Sequence, residues 1–351
     1  MCRAISQPFV SGNISHPAET QLIAVDLQRA SVHPLTSAPG SHRATVDASG
    51  KYFIDVFSSL TTPPIASVHK IDGQPLRIIE APVSDRYQYV NMRPPALVTI
   101  KARDGLELQA LIMLPNSVDM QNPTRKLPVI FHIYGGPQAP TVKNAWSGGS
   151  YWWHQMLCQR GFAVVLCDNR SSRGRGIQDT WSIRKDLGRV ELNDLEDAVK
   201  WVTEQPWADG ERVGLWGWSY GGYLTSYALT HSKLFRAGIA GAPVTDWRNY
   251  DAIYTERYMD LPANNEEGYK SSSVVEAAEN LSGRLLLIHG ERDDNVHLSN
   301  TLQFADALQN AGKQFDLMVY PKNRHGVADP QQRAHMQQLM TDFLIRNLMK
   351  E

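Results

Sequence analysis

The chain has 351 residues, a net charge of −1, 20% charged residues and 42% hydrophobic residues. That is the composition of a globular protein with room for one large domain and an appendage, or for two ordinary domains. Scattered, nearly balanced charge gives no footprint for nucleic acid, and no apolar run reaches the roughly 18 residues of a membrane span. Met1 to Val10 lacks the charged-then-apolar pattern of a signal peptide, so the sequence assigns no compartment. Arg170, Arg173 and Arg175 are the one notable basic cluster; in a Gly/Ser loop they read as solvated. Cys2, Cys158 and Cys167 are odd in number and lack metal-ligand spacing, so they read as structural thiols. His289, Asp293, Asp294 and His297 lie close together, but Asp293 has a better use below. No metal and no cofactor is expected.

The first 92 residues read as all-β. Gln21 to Leu27, His42 to Val46, Lys51 to Phe57 and Ala66 to Ile71 are expected strands, separated by turns such as Ala48-Ser-Gly50 and Thr62-Pro-Pro64. This is the size of one β-propeller blade, a partial propeller-like segment over residues 1–92. From Arg93 the pattern changes. Leu97 to Lys101 and Glu107 to Met113 read as an antiparallel pair, and Pro128 to Tyr134 and Phe162 to Asp168 as buried strands around a helix at Tyr151 to Gln159. Between Arg189 and Glu204, Leu192, Leu195, Val199 and Val202 keep helical spacing, with acidic residues on the other face. Val213 to Trp216, Ala237 to Ala240, Arg284 to His289 and Phe315 to Tyr320 are further strands; Tyr223 to Leu229, Leu298 to Ala311 and Gln331 to Met349 are helices. Strands alternating with helices predict a mostly parallel twisted sheet wrapped by helices over residues 93–351, with its site at the carboxyl ends of the strands.

Gly217-Trp-Ser219-Tyr-Gly221 lies where a strand gives way to a helix. This G-x-S-x-G pattern is the nucleophile elbow of the α/β-hydrolase fold, a turn so tight that glycines must flank an outward-pointing serine. A serine nucleophile needs a base and an acid that orients it, and in this fold they follow in the order serine, acid, histidine. The strand ending at His289-Gly290 runs into Asp293-Asp294-Asn295, and the next strand runs into His325-Gly326 just before the final helix. Ser219, Asp293 and His325 are therefore the expected catalytic triad.

Gly217-Trp-Ser-Tyr-Gly-Gly-Tyr223, Asp168-Asn-Arg170, His289-Gly290 with Asp293-Asp-Asn-Val296, and His325-Gly326 together resemble the prolyl oligopeptidase family of serine peptidases. Ala242-Pro-Val-Thr-Asp-Trp247, Tyr250-Asp251 and Tyr254-Thr-Glu-Arg-Tyr-Met259 are most similar to its dipeptidyl peptidase IV branch. The likeness covers roughly Arg93 to the C-terminus and, more loosely, the N-terminal blade. It implies hydrolysis after proline or alanine through an acyl-enzyme, with Asp293 rather than Asp294 as the triad acid. Tyr134 and the backbone N–H of Tyr220 would form the oxyanion hole. Tyr220, Val244, Trp247, Tyr250, Tyr254 and Val296 would form an aromatic box for a pyrrolidine ring, and Asn295 would bind a substrate carbonyl; spacing alone reads these aromatics as core. The implied partner is a peptide with proline or alanine at its penultimate position; nucleic acid is not implied, and a homodimer is left open. Relatives are commonly secreted or periplasmic.

Two departures accompany the likeness. The family's propeller supplies paired glutamates and an arginine that bind the substrate's free amine, and nothing here matches them; Glu266-Glu267 reads as a solvated acidic loop. Ser171-Ser172 stands where relatives usually carry glycine. The chain thus resembles the C-terminal part of a longer peptidase. A broad esterase or acylaminoacyl-type hydrolase with the same triad, and an idle binding module, are the alternatives.

Overall fold

The computed structural model describes residues 8–81, 93–146, 149–172 and 176–349. The chain forms two units, Met1–Pro95 with Val142–Trp152, and Ala96–Thr141 with Trp153–Glu351.

In the first unit, β1 (Phe9–Gly12), β2 (Gln21–Asp26) and β3 (Ser31–Pro34) form a three-stranded antiparallel sheet. A second, four-stranded antiparallel meander follows: β4 (Ser41–Val46), β5 (Tyr52–Ser58), β6 (Ile65–Lys70) and β7 (Pro75–Glu80). The strands expected from sequence are present, but not as one blade, because β2 belongs to the other sheet and β7 completes the meander. β7 carries no strand signal in the sequence, because its apolar residues Leu76, Ile78 and Ile79 do not alternate and are exposed with the rest of the strand. Segment 142–152 belongs here for a hydrogen-bonding reason. Asn144 donates its N–H to Ala18 O and its side-chain amide to Glu19, and accepts from the N–H of Leu60.

The second unit holds one eight-stranded sheet in the order β15-β14-β13-β12-β10-β11-β9-β8. Its strands are β8 (Ala96–Lys101), β9 (Glu107–Met113), β10 (Leu127–His132), β11 (Ala163–Cys167), β12 (Ala208–Trp218), β13 (Ala237–Gly241), β14 (Arg284–Gly290) and β15 (Asp316–Tyr320). The run from β11 to β15 pairs in parallel, and β8 and β9 add an antiparallel edge. The helices are α1 (Gly149–Gln159), α2 (Ile177–Trp181), α3 (Arg189–Thr203), α4 (Tyr220–His231), α5 (Ala252–Met259), α6 (Glu266–Ser271), α7 (Ser299–Asn310) and α8 (Pro330–Leu348). Helices α4 and α8 cover opposite faces. A Cβ at Gly214 would meet Leu348 of α8 and one at Gly238 would meet Leu229 of α4, while Gly238 pairs with Leu215, the next residue on β12. Fully buried Val129, Phe131, Leu215, Ala240 and Leu287 fill the sheet's interior, the apolar runs expected of strands covered on both faces.

Three expectations change. Glu191 and Asp194 of α3 are buried rather than solvent-facing. Arg170 is not solvated, because its guanidinium is bound to Asp194 and Asp104 at 2.7 Å each; Arg173 and Arg175 lie outside the described residues. Glu266 and Glu267 open the short helix α6 instead of a loop, and are exposed there, where its N-terminal dipole favours acidic residues. Cys158 and Cys167 are free thiols, and burial pushes Cys158 up to about 12.

Within the meander, buried His42 contacts Asp55 at 2.6 Å through Nδ1 and the carbonyl of Ala38 at 3.0 Å through Nε2. Both partners accept, so both nitrogens donate when the ring is charged. Burial opposes that charge, but these bonds outweigh it and raise the His42 pKa. A raised folded-state pKa gives stability that is complete below the unfolded value of about 6.5 and lost as pH rises through the folded value. Amide exchange protection of β4 and β5, corrected for intrinsic rates, is expected to fall across that window, and His42→Gln is expected to remove the dependence.

Candidate active site

Ser219 joins β12 to α4 with φ 61° and ψ −117°, a region that non-glycine residues occupy only under restraint. The restraint is the approach of neighbouring backbone. A Cβ at Gly221 would collide with Ile133 O at the exit of β10, and one at Gly222 with Gly241 O at the exit of β13. The Ser219 N–H donates to Gly241 O at 2.8 Å. Only glycine lets the elbow sit so low between its two neighbouring strands, and the serine side chain is thereby turned away from them.

Ser219 Oγ lies 2.9 Å from His325 Nε2, and His325 Nδ1 lies 2.8 Å from Asp293 Oδ2. Burial pushes the Asp293 carboxyl up, but hydrogen bonds from His289, His325 and the Asn295 N–H outweigh it, holding the group well below the usual carboxylate range. An ionised carboxylate only accepts, so His325 Nδ1 carries the proton and Nε2 is bare toward the Ser219 hydroxyl. The acid is itself fixed. Asp293 Oδ1 accepts the N–H groups of Asn295 and Val296 at 3.0 Å each, and Oδ2 has His289 Nε2 at 3.2 Å. His289 is oriented in turn, with Nε2 donating to Val296 O at 2.8 Å and Nδ1 accepting from the Thr301 hydroxyl at 2.7 Å. Asp294 points elsewhere and pairs with Arg324. The histidine loop is held from the elbow, because Trp218 Nε1 donates to His325 O at 2.6 Å.

The other expected residues surround this line. Tyr134 follows β10 and is half-buried, and burial raises the pKa of its hydroxyl, which remains a donor at neutral pH. The Tyr220 N–H opens α4 among first-turn amides that have no partner within the helix. Ring centroids step from Tyr134 to Tyr220 at 6.2 Å, Tyr220 to Trp247 at 5.2 Å, Trp247 to Tyr254 at 6.2 Å and Tyr254 to Tyr250 at 5.4 Å. Val244, Trp247 and Val296 are buried, whereas Tyr250 and Tyr254 keep a face in solvent. The Tyr250 hydroxyl donates to Asn295 Oδ1 at 2.8 Å, which leaves the Asn295 amide nitrogen to donate.

Residues 149–351 match the model of the prolyl oligopeptidase family. The chain belongs to the prolyl oligopeptidase family. Human dipeptidyl peptidase 8 is 34% identical over 353 residues, covering 97% of this chain and 39% of that protein. Mouse prolyl endopeptidase FAP is 36% identical over 289 residues, covering 80% of this chain and 37% of that protein. The crystal structure of Porphyromonas gingivalis dipeptidyl peptidase 4 superimposes with a TM-score of 0.93 at 34% identity, covering 98% of this chain and 49% of that one. This member of the prolyl oligopeptidase family therefore spans about two fifths of the curated relatives' length.

Two further supports hold the site. The loop after β10 is tied down by the Asp168-Asn-Arg run: Thr141 donates its N–H and hydroxyl to Asp168 at 2.8 and 2.7 Å, and Asn169 donates to Gly135 O at 3.1 Å. Ser171 and Ser172, which depart from the family pattern, are buried and bonded within the same loop, Ser172 to Asn169 O and Ser171 O to the Gln138 N–H. The second support is Glu191, whose Oε1 accepts the Tyr220 hydroxyl at 2.6 Å. Its only sequence signal is its place three residues after Gly188, at the start of an amphipathic helix.

The backbone approach at the elbow makes a quantitative expectation. Gly222→Ala is expected to cost about 1–3 kcal/mol through overpacking. Gly210→Ala, on the same sheet's β12 but with Thr203 no nearer than 3.4 Å, is expected to stay below about 1 kcal/mol. Urea unfolding midpoints of the two variants check the difference.

Proposed function

We propose that the chain is a serine peptidase that cleaves after proline or alanine through an acyl-enzyme. The single observation that carries this reading is the hydrogen-bonded line from Ser219 Oγ through His325 to ionised Asp293, opening beside an aromatic box. In the acylation step, the Ser219 oxygen bonds to the substrate carbonyl carbon while its proton passes to His325 Nε2, and Asp293 stabilises the imidazolium. The carbonyl oxygen becomes an oxyanion, for which the Tyr134 hydroxyl and the Tyr220 N–H are the donors. Collapse breaks the C–N bond and His325 returns its proton to the leaving amine; water then repeats the sequence to release the acid and restore Ser219.

Substrate preference follows from shape. The flat rings of Tyr220, Trp247, Tyr250 and Tyr254 suit a pyrrolidine ring or an alanine methyl, and disfavour long or charged side chains. Among the described residues, Glu266 and Glu267 sit exposed on α6, and no hydrogen bond links them to this line. Turnover of N-acetylated against free-amine Xaa-Pro amides separates a dipeptide-releasing preference from the broader acyl-hydrolase alternative, which predicts similar kcat/KM for both.

A fluorophosphonate is expected to label the wild type and not Ser219→Ala; label persisting in that variant would refute the nucleophile. Tyr134→Phe is expected to lower kcat about a hundredfold or more with KM little changed, the signature of a donor used in the transition state. Asp293→Asn is expected to lower kcat by about four orders of magnitude, because it removes the ionised acceptor that sets the His325 tautomer. A burst of product from an activated ester would exclude an idle binding module.

A further inference from the structure

Glu191 belongs neither to the Ser219–His325–Asp293 line nor to the aromatic box, yet it is completely buried at the start of α3. Both oxygens are engaged. Oε1 accepts the Tyr220 hydroxyl at 2.6 Å, and Oε2 accepts the Gly188 N–H at 3.0 Å at the entrance of its own helix. The same turn takes hold of α4 a second time, because Leu187 O accepts the Tyr223 hydroxyl at 2.9 Å. The fit is close: a Cβ at Gly188 would lie 2.5 Å from that hydroxyl. The first turn of the nucleophile's helix is therefore held by two tyrosine hydroxyls reaching down to one helix entrance.

Tyr220 makes this grip consequential, since one residue carries two parts of the proposed site. Its N–H is an oxyanion donor, and its ring is a wall of the box, against Trp247 and near Tyr134. With its far end fixed at the hydroxyl, the side chain cannot rotate about χ1 without breaking a buried bond. An apolar residue at 191 would leave two buried donors, the Tyr220 hydroxyl and the Gly188 N–H, without acceptors. The carboxyl is not a ligand site from behind, because the cavity on its other side, bordered by Gly135, Asn169, Asp194 and Leu224, is about 10 Å³. Keeping a carboxyl there is costly, and burial drives it up to about 7 despite the bonds from Tyr220 and Gly188.

We propose that Glu191 is a positioning residue that, by anchoring the Tyr220 hydroxyl, fixes the oxyanion donor and the box wall together. The proposal rests on the reading of Ser219 as nucleophile and Tyr220 as its neighbouring donor. Removing the anchor should loosen transition-state stabilisation for every acyl substrate, and ground-state binding only for those that fill the box.

The test compares Glu191→Ala, Glu191→Gln and Tyr220→Phe in the full chain, using an activated acetate ester, a Gly-Pro amide, and amide hydrogen exchange over Tyr220 to Tyr223. Glu191→Ala and Tyr220→Phe are each expected to lower kcat on both substrates about tenfold, the size of one lost buried hydrogen bond. KM should rise for the Gly-Pro amide alone, and the double variant should be no worse than either single one. Glu191→Gln, which keeps an acceptor oxygen for Tyr220, should recover kcat to within about threefold of wild type. Glu191→Ala and Tyr220→Phe with lowered melting temperature but wild-type kcat and wild-type exchange would overturn the proposal and leave Glu191 a helix cap. If the wild type hydrolyses neither substrate, the nucleophile reading fails separately, and exchange decides the anchoring. Faster exchange at Tyr220 to Tyr223 in Glu191→Ala, but not in Glu191→Gln, supports it; equal exchange overturns it.

Discussion

The site depends on how closely three strand exits approach one another. Ile133 O after β10 and Gly241 O at the end of β13 press against the elbow from either side, and the elbow fits only because positions 217, 221 and 222 have no side chains. That crowding forces Ser219 to φ 61° and directs its hydroxyl out of the sheet. The strain is sustained by the parallel pairing of β10, β12 and β13, whose interior residues are fully buried. Core packing and the geometry of Ser219 are thus the same fact seen at two distances.

Around this point the polar groups form shells, each orienting the one inside it. The Val296 carbonyl, which only accepts, sets the tautomer of His289, His289 and two backbone amides fix Asp293, and Asp293 fixes His325. Each buried polar atom in that series has a partner, so the acid can remain charged in a place where burial alone would neutralise it. Asp294 shows how specific the arrangement is. One residue further along the same turn, it meets Arg324 at the surface and has no part in the series.

The residues Ser219, Asp293 and His325 could be found because each follows a strongly apolar strand, and the order of the strands in a parallel sheet brings their exits to one edge. The hydrolase sheet was legible for the same reason. The grouping of the Tyr134, Tyr220, Trp247, Tyr250 and Tyr254 rings was legible only through likeness to a family, since Trp247 and Tyr220 are as buried as any core residue and their spacing is that of core. Glu191 and Asp194 misled because acidic residues opposite an apolar stripe usually face water; here their partners, Tyr220 and Arg170, come from segments distant in sequence. The N-terminal sheets were misgrouped for a related reason. Short strands with exposed residues carry little periodicity, so β1, β3 and β7 could not be told from loops, and without them β2 had no sheet of its own.

The bond from the Trp218 indole to the carbonyl of His325 spans 107 residues and ends on main chain rather than side chain. His325 is therefore carried to Ser219 by a feature that every amino acid possesses. Lys322 and Arg324 are exposed in the same loop, and exchanging them would leave that carbonyl where it is. The side chains at the rim of the site can accordingly differ while the approach of His325 Nε2 to Ser219 Oγ is kept. A substitution at Trp218 would remove that tie and leave the loop to bonds such as that from the Arg292 N–H to Asn323 O.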